Sequence, residues 1–351
     1  MRTAQPRLTD PWMLGPLRVP NRVLLAPLAG IGNWFVRLQA KRYGAGMAVS
    51  EMVSSHAVHH GNRKTCTEML RIDARERETG PVAIQLFGEE PAIMRLAARE
   101  VARAGADAID INMGCPVPKV RKTGAGAALL ANPDLAVALA RATVEGANAG
   151  AGPLPVTVKL RCGLRAEERS GLELAQRLVH EAGVAAIAIH PRSAEVQHKG
   201  APRYELAAEL ARTLPVPVIL TGGLNSAERV REAFRRTGVA AVMLARGALG
   251  NPWLFDALLR GRERPPARGE VLDELQWTID RAVEHLGEQR ATRYLRKFYP
   301  WYMERLALPP GAAKSLQAEL QSVEAIADAR RLLERCRAPA QAERAPLTAA
   351  V

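Results

Sequence analysis

The stretch VAIQLFGEEPAIMRLAAREVARAGADAIDINM, residues 82–113, decides the fold. The apolar runs at its two ends, 82–87 and 108–113, are almost uninterrupted, which is typical of parallel strands covered on both faces. The segment between them, 91–106, has the apolar spacing of a helix and contains a glycine near its end that can cap it. The stretch therefore predicts one β-α-β unit.

The same unit recurs along the chain. Further strands are predicted at 22–27, 47–52, 156–161, 185–190, 216–221 and 240–245. Eight such units in about 250 residues predict an α/β fold, a (β/α)₈ TIM barrel with its active site at the carboxyl ends of the strands. An open doubly wound sheet ranks lower, because no G-x-G-x-x-G follows the first strand and polar residues end so many strands.

A Pro/Gly/Arg-rich stretch after the last strand divides the chain. We expect the barrel over residues 1–258, a linker over 259–270, an all-helical domain over 271–337 and a flexible tail over 338–351. Helical patterns in the C-terminal domain are predicted at 271–288, 291–306 and 312–337.

Charge and cysteine content restrict the class of protein. Lys and Arg outnumber Asp and Glu by 49 to 36, a net charge of +13, so the surface attracts polyanions, nucleic acid first among them. The four cysteines include no C-x-x-C pair, so we expect no metal site, no disulfide framework and a reducing cytoplasmic location. The start of the chain has no secretory apolar region, and no apolar run is long enough to span a membrane.

Cationic and titratable side chains follow the fifth and sixth strands. The alternation in VTVKLR sends Lys159 and Arg161 to one face, which fits inward projection over the barrel. His190 and Arg192 end the sixth strand, so four such groups point toward one mouth. A cation there would stabilise negative charge on a reduced flavin ring.

The last two strands end in glycine-containing segments, TGGL (221–224) and ARGALGNPWLF (245–255). Barrels of this class commonly bind a phosphate at that place through loop amides and a helix N-terminus. These segments predict a phosphorylated ligand or cofactor, although glycine pairs also occur in ordinary turns.

Cys115 lies on the loop after the fourth strand, between a glycine and a proline. Lys119, Arg121 and Lys122 follow it, and this basic loop could close over an anionic substrate. Cationic neighbours lower the pKa of a thiol, which suits a nucleophile as much as an acid. The residues alone leave proton donor, nucleophile and structural cysteine open.

The run D-I-N-x-G-C-P-x-x-K-V at 110–120 resembles the active-site signature of the tRNA-dihydrouridine synthases, most closely their bacterial B-type branch. Further matches follow in the order of the family: APLAG (26–30), SEMVSS (50–55), QLFG (85–88), GAGAALL (124–130), TVKLR (157–161), ILTGGL (219–224), MLARGALGNPWLF (243–255) and R-x-x-R-K-x-x-x-W-Y (293–302). The resemblance extends from about residue 14 to residue 337.

The resemblance implies an FMN-binding barrel in which NADPH reduces the flavin, FMN N5 delivers hydride to uracil C6 and Cys115 gives a proton to C5. The implied cofactor-binding residues are Pro27, Leu28, Ala29, Gln85, Asn112, Lys159, His190, Thr221, Gly222, Gly223, Ala245 and Arg246. Hydride arriving at C6 leaves enolate-like charge at C5, so a proton donor must stand on that side. ILTGGL and Ala245 depart from the commoner family residues, which leaves the backbone amides as the phosphate contacts.

The resemblance also implies a tRNA substrate, with a D-loop uridine as the expected target, and a monomeric enzyme. The residues expected to contact tRNA are Lys119, Arg121, Lys122, Arg161, Arg192, Arg293, Arg296 and Lys297. Arg290, Arg293 and Lys297 have the spacing of one helix face. The alternatives are an FMN barrel acting on a free small molecule, as a dihydroorotate dehydrogenase-like enzyme does, and a non-catalytic tRNA-binding protein.

Overall fold

The computed structural model describes residues 5–150 and 152–337. Its strands are β1 (Trp12–Leu14), β2 (Leu17–Val19), β3 (Val23–Leu25), β4 (Ala48–Ser54), β5 (Val82–Phe87), β6 (Ala108–Met113), β7 (Val156–Arg161), β8 (Ala186–His190), β9 (Val218–Thr221) and β10 (Ala241–Leu244). Strands β3 to β10 form a closed parallel barrel in chain order, with β10 pairing back onto β3. The predicted (β/α)₈ barrel is therefore confirmed, and all eight predicted strands lie in it.

Helices connect the barrel strands and make up the C-terminal part of the described chain. They are α1 (Trp34–Arg42), α2 (Ser55–His59), α3 (Ala74–Arg77), α4 (Pro91–Arg103), α5 (Pro118–Arg121), α6 (Pro133–Ala147), α7 (Ser170–Ala182), α8 (Tyr204–Thr213), α9 (Ala227–Thr237), α10 (Trp253–Leu259), α11 (Arg268–Leu286), α12 (Glu288–Leu295), α13 (Tyr299–Met303), α14 (Pro310–Ser322) and α15 (Ile326–Arg337). Among the described residues, no helix is both long and apolar enough to cross a bilayer.

The hairpin β1-β2 was not predicted, because strands of three residues carry too little periodic signal. Its two-residue turn begins at Gly15, whose φ of 56° suits a glycine at the first central position of a hairpin turn. Trp12, Leu14 and Val19 of the hairpin join the apolar cluster of the barrel interior.

The apolar cluster of the barrel interior contains six alanines among its fourteen buried residues. Ala83, Ala108, Ala186 and Ala241 lie in one buried cluster near the start of their strands. With few aromatic residues in the chain, the apolar side chains of the hairpin take part in filling this region. Polar inward residues are found farther along the strands, so the carboxyl ends carry the chemistry.

The described residues divide into two compact units, one that contains those up to 248 together with 252–263, and one that contains 249–251 together with 264–337. In the second unit the buried residues include Leu275, Tyr299 and Tyr302. Helix α11 begins at Arg268, within the segment expected to be a linker. The expected tail, 338–351, lies outside the described residues.

Two predicted C-terminal helices are each divided in the structure. The pattern at 291–306 is covered by α12 and α13, and Pro300 stands in the first turn of α13, where its missing N–H is tolerated. The pattern at 312–337 is covered by α14 and α15, with Val323 in an extended conformation between them. Apolar spacing continued through both breaks, so periodicity alone predicted single helices.

Candidate active site

Parallel pairing brings polar side chains of neighbouring strands to the same levels of the barrel. Gln85 of β5 pairs with Asp110 of β6, which pairs with Thr157 of β7. Nearer the carboxyl ends, Asn112 pairs with Lys159. Because alternate residues of a strand share a face, Asp110 and Asn112 both point inward. The barrel thus contains two polar layers at the end where the sequence predicts the site.

A continuous chain of hydrogen bonds, here called the interior network, joins Thr157, Asp110, Gln85 and Asn112. The Thr157 hydroxyl donates to Asp110 Oδ1, and the Gln85 amide donates to Asp110 Oδ2 at 2.6 Å. The Asn112 amide donates to Gln85 Oε1 at 2.9 Å. Burial raises the pKa of Asp110, and the two donors to its carboxylate oppose that rise. The carboxylate accepts only, so it orients both amides in turn.

Asn112 connects the interior network to the cysteine loop. Its Oδ1 accepts the backbone N–H of Cys115 at 2.9 Å and that of Gly114 at 3.2 Å. The carbonyl of Cys115 accepts the N–H of Ala127 at 3.0 Å, which closes the loop from its other side. A Cβ at Gly126 would lie 2.9 Å from that carbonyl oxygen, so a glycine is required there. The thiol is free and half-buried at the mouth.

Arg161 clamps the same loop from β7. Its side chain is buried, and its guanidinium donates to the carbonyls of Gly114, Ser193 and Gln197, each at 2.8 Å. Burial lowers the pKa of Arg161 to about 10, which still leaves it charged at neutral pH. The structure therefore places this expected tRNA contact inside the barrel mouth, where it joins the cysteine loop to the loop after β8.

Lys159 projects inward near the carboxyl end of β7 and is available to bind a ligand. It is half-buried, and its ammonium makes no hydrogen bond or ion pair to any described residue. Burial and the neighbouring Arg161 lower the pKa of Lys159, while Asp110 opposes the change. An ammonium held without an acceptor at the barrel mouth fits a ligand that presents a carbonyl or an anionic ring atom.

His190 is buried and uncharged. Burial lowers the pKa of His190 far below its ordinary value, and the cations of Lys159, Arg161 and Arg192 lower it further. Arg192 Nη1 lies 3.2 Å from His190 Nε2, and since a guanidinium only donates, Nε2 accepts. The other nitrogens of Arg192 donate to the carbonyl of Gly200. Arg192 is thus held beside the histidine.

The loop after β9 forms a close-fitting glycine turn. Gly222 and Gly223 have φ angles of 101° and 76°, which only glycine adopts readily. A Cβ at Gly222 would lie 2.4 Å from the His190 ring, and one at Gly223 would lie 2.8 Å from the Tyr204 hydroxyl. Gly223, Arg192 and Tyr204 also line a cavity of about 300 Å³.

Comparisons with known proteins agree with this geometry. A sequence model of the family Dihydrouridine synthase (Dus) matches residues 24–343. The chain belongs to this family. It is 36% identical over 309 residues to "tRNA-dihydrouridine synthase B" of Pseudomonas aeruginosa, covering 85% of this chain and 88% of that protein. It is 38% identical over 303 residues to a "Probable tRNA-dihydrouridine synthase" of Rhodobacter capsulatus, covering 84% and 90%.

Solved structures show a similar fold at low sequence identity. Morphinone reductase superposes with a TM-score of 0.56 at 18% identity, over 76% of this chain and 93% of that chain. A 2-naphthoyl-CoA reductase superposes with a TM-score of 0.59 at 13% identity, over 73% and 52%. The predicted membership of the dihydrouridine synthase family and the enzyme class that follows from it are confirmed.

The remaining expected cofactor residues of this family member lie at the ends of β3, β9 and β10. Leu28 is buried, Pro27 is half-buried and Ala29 is exposed, on a loop held by a 2.9 Å hydrogen bond from Gly30 N–H to Glu51. The remaining three also span the range of exposure: Thr221 is buried, Ala245 half-buried and Arg246 exposed.

A basic turn follows the cysteine loop at α5. Lys119, Arg121 and Lys122 are exposed, and their side chains pair with none of the described residues. Val120 is buried between them and anchors the turn. The three expected tRNA contacts therefore share one exposed turn; this set is called the basic turn below.

The expected tRNA contacts of the helical unit differ among themselves. Arg293 and Lys297 are exposed, and the Lys297 ammonium lies 4.8 Å from the centre of the Tyr294 ring. Arg296 is half-buried and donates to the Val323 carbonyl at 3.2 Å. Tyr302 is buried and shares a 2.9 Å hydrogen bond with Thr278, so it packs within the unit.

Sequence reasoning missed Asp110 and Thr157. Both occur in strands that were predicted correctly, at inward positions where an apolar residue would be expected in a barrel interior. A buried carboxylate and a hydroxyl at matching positions of adjacent strands are a signal that pairing register would have exposed. Asn112 was expected to contact flavin or substrate, and sequence reasoning also missed that its amide oxygen accepts the backbone N–H of Cys115.

Proposed function

We propose that the protein reduces the C5–C6 double bond of a uridine in tRNA to 5,6-dihydrouridine, with FMN as cofactor and NADPH as reductant. One observation carries the proposal: the Cys115 thiol stands at the barrel mouth on a loop held by Asn112 and Arg161. Family membership over most of the chain supports the same activity.

The residues present fit FMN. Lys159 offers an ammonium inside the mouth that has no partner among the described residues. Gly222 and Gly223 have positive φ angles and let the loop after β9 pass close to His190 and Tyr204, which leaves its backbone amides without bulky side chains of their own. In this proposal Lys159 faces the polar edge of the ring, the loop of Pro27 to Ala29 lies along the ring, and backbone amides near Gly223 and Arg246 hold the phosphate. When bound, FMN supplies the hydride of the reduction.

Cys115 is the proposed proton donor. Hydride addition at C6 develops negative charge toward C5 and O4, so an acid is needed at C5 as the charge forms. The backbone of Cys115 is hydrogen-bonded to Asn112 and Ala127, and Arg161 binds the carbonyl of the preceding Gly114. These bonds limit the volume that the thiol explores. Such positioning contributes to the rate because it needs no further ordering when the substrate arrives.

The basic turn is the proposed tRNA contact nearest the chemistry. Lys119, Arg121 and Lys122 are free to pair with phosphates, since their side chains have no partner among the described residues. A uridine must leave its stack to enter a barrel mouth, and contacts to neighbouring phosphates can hold the strand meanwhile. A D-loop uridine and a monomeric enzyme complete the proposal.

Cys115→Ala tests the chemistry, with Cys66→Ala as matched control because Cys66 is also a free cysteine. Purified wild type should be yellow, and NADPH should bleach the flavin without oxygen in all three proteins. Mass spectrometry of tRNA should show uridine gaining two hydrogens with wild type and Cys66→Ala. Cys115→Ala should be about 10²–10⁴-fold slower.

Three results would contradict the proposal. A protein that cannot be reconstituted with FMN is not a flavoenzyme. Equal rates in Cys115→Ala and wild type would remove the proton donor. Free uridine or orotate reacting as well as tRNA would replace the RNA substrate by a small molecule.

A further inference from the structure

A cluster of metal-ligating side chains lies outside the residues assigned to flavin and substrate. We propose that His56, Glu89 and Glu90 form a binding site for one divalent transition-metal ion, with Zn²⁺ as its representative. One atom from each of the three side chains lies within 4.8 Å of the others. A nitrogen with two carboxylate oxygens is a donor set that such ions accept.

The fold brings the three residues together from two neighbouring strands. Ser54, the last residue of β4, pairs with Phe87, the last residue of β5. His56 lies in α2, directly after β4, and Glu89 and Glu90 follow β5. The register therefore places both sets of donors at the carboxyl end of the barrel.

The approach of the two segments is close. A Cβ at Gly88 would lie 2.2 Å from the hydroxyl oxygen of Ser55, so a glycine is needed for α2 to meet the end of β5. Ser54 also caps α2 by accepting the N–H of Ala57 at 3.4 Å. The backbones that present His56 and Glu89 are consequently fixed before any ion binds.

The distances match a metal site better than an ion pair. His56 Nε2 lies 3.3 Å from a Glu89 oxygen and 3.5 Å from a Glu90 oxygen. Charge-assisted hydrogen bonds are shorter, about 2.7–2.9 Å. A tetrahedral ion bonded at about 2.0–2.1 Å separates its donors by about 3.3–3.4 Å. The two nitrogen–oxygen separations lie within about 0.1 Å of that length, and all three donor atoms lie within 4.8 Å of one another.

The histidine nitrogen has no hydrogen-bond partner among the described residues. His56 Nε2 is shielded from solvent and makes no hydrogen bond to the described residues, although two carboxylates lie beside it. Its lone pair would meet their negative charge, which is favourable only if a proton or a metal ion lies between them. An ion bonded to all three would satisfy the nitrogen and both carboxylates.

His60 can complete the coordination. It follows His56 by four residues and caps the C-terminus of α2, so it lies about one helical turn beyond His56. The two rings are stacked with centroids 6.3 Å apart, so His60 borders the cluster. Rotation of its side chain, or a water molecule, would supply a fourth donor. No metal site was expected from the sequence because the cysteines lack a metal-binding spacing, whereas these three ligands come from the ends of two separate strands.

The site adjoins the loop that carries Cys115. A Cβ built at Gly124 would lie 3.6 Å from Glu89 Cβ, so Glu89 packs against this loop. With neutral His56 the three ligands carry two negative charges, and a divalent ion cancels them. Without the ion, the two carboxylates would repel phosphates that approach the barrel mouth; with it, this repulsion is removed. This effect on tRNA binding rests on the proposed function.

The test measures metal binding directly and without tRNA. The FMN-loaded enzyme is treated with a chelator, dialysed and titrated with Zn²⁺ by calorimetry at neutral pH. Wild type and His180→Ala, a control histidine exposed on α7, should bind one ion per chain with equal affinity. His56→Ala and Glu89→Gln should bind it more than about 100-fold more weakly, beyond the loss typical of outer-shell substitutions.

Titration with Co²⁺ identifies the ligands. The spectrum should show nitrogen and oxygen coordination without thiolate charge-transfer bands. No uptake of Zn²⁺ would overturn the proposal and leave His56 paired with the two carboxylates alone. Equal affinity in wild type and Glu89→Gln, or thiolate bands, would place the ion elsewhere. Because tRNA is absent, these results are independent of whether uridine is reduced.

Discussion

The interior network and the basic turn stand close together in the chain but follow opposite rules. Asp110 and Asn112 are buried, and their side chains are fully engaged with other protein groups. Lys119 and Lys122 are exposed, and their ammonium groups have no partner among the described residues. Groups already paired inside the protein position the loop, whereas unpaired groups are available to bind a partner. Substitutions in the interior network should therefore affect catalysis, and substitutions in the basic turn should affect tRNA binding.

Among substitutions in these two regions, Asn112→Ala is expected to have the largest effect. It removes the acceptor of two backbone N–H groups and releases the Cys115 loop. A misplacement of about 1 Å costs about 100-fold in rate, so kcat should fall by that order while KM for tRNA stays unchanged. Single-turnover kinetics with tRNA measure both.

Asn132→Ala is the matched control, since Asn132 also accepts a backbone N–H, that of Leu135 at 3.2 Å. It should keep full activity. If Asn112→Ala left kcat within twofold of wild type, Asn112 would not be the residue that positions the thiol.

Asp110→Asn acts one step deeper. An amide can accept from Thr157, but its nitrogen then faces the Gln85 amide, so Gln85 must turn and Asn112 loses its acceptor. We expect kcat to fall about tenfold, roughly the effect of one lost hydrogen bond of 1.5 kcal/mol. Thr143→Val, which removes a buried hydroxyl bonded only to the carbonyl of Leu139, should leave kcat unchanged.

Asp110 also predicts a pH dependence of stability. Burial raises the pKa of Asp110 to about 6 in the folded protein, so between about pH 4 and about pH 6 the folded state holds a proton that the unfolded state has released. The free energy of unfolding due to this group therefore decreases as pH rises through that range. Asp110→Asn should remove this decrease, as denaturant titrations at several pH values would show. If the free energy of unfolding of Asp110→Asn depended on pH as that of the wild type does, Asp110 would not be the group with the raised pKa.

The same contrast explains what could be predicted from sequence. Strands such as 82–87 and 108–113 were predicted because burial on both faces gives a nearly continuous apolar run. The loop position of Cys115 was predicted because a glycine and a proline flank it, whereas its role as proton donor stays a prediction. The contacts by which Arg161 and Asn112 hold the Cys115 loop were not predicted. A polar residue at a strand end gives the same sequence pattern whether it contacts a ligand or a neighbouring loop. Only pairing register and three-dimensional contacts separate these cases.

The basic turn should affect binding without affecting chemistry. Replacing Lys119, Arg121 and Lys122 together by Ala should raise KM for tRNA about tenfold at moderate salt, with kcat within twofold of wild type. The slope of log affinity against log salt should also fall by about two units if three phosphate contacts are lost.

The control removes three arginines from the last turns of α4, α8 and α9, Arg103, Arg212 and Arg235. These helices run back along the barrel, so their ends lie away from the strand carboxyl ends. The control should keep the wild-type salt slope. Equal effects of the two triple variants would mean that net charge, and not the basic turn, attracts tRNA.

The smallest effects are expected in the helical unit. There the end of α12 carries one exposed arginine and is followed by one arginine that is hydrogen-bonded within the protein. Arg293 is exposed and free to meet phosphate, while Arg296 donates to the Val323 carbonyl. Arg293→Ala should raise KM for tRNA about two- to threefold with Tm unchanged, as expected for one phosphate contact partly screened by salt. Arg296→Ala should instead lower the stability by about 1 kcal/mol, because the carbonyl loses its donor. If Arg293→Ala lowered Tm and Arg296→Ala changed only KM, exposure and pairing would not separate positioning from binding residues in this unit.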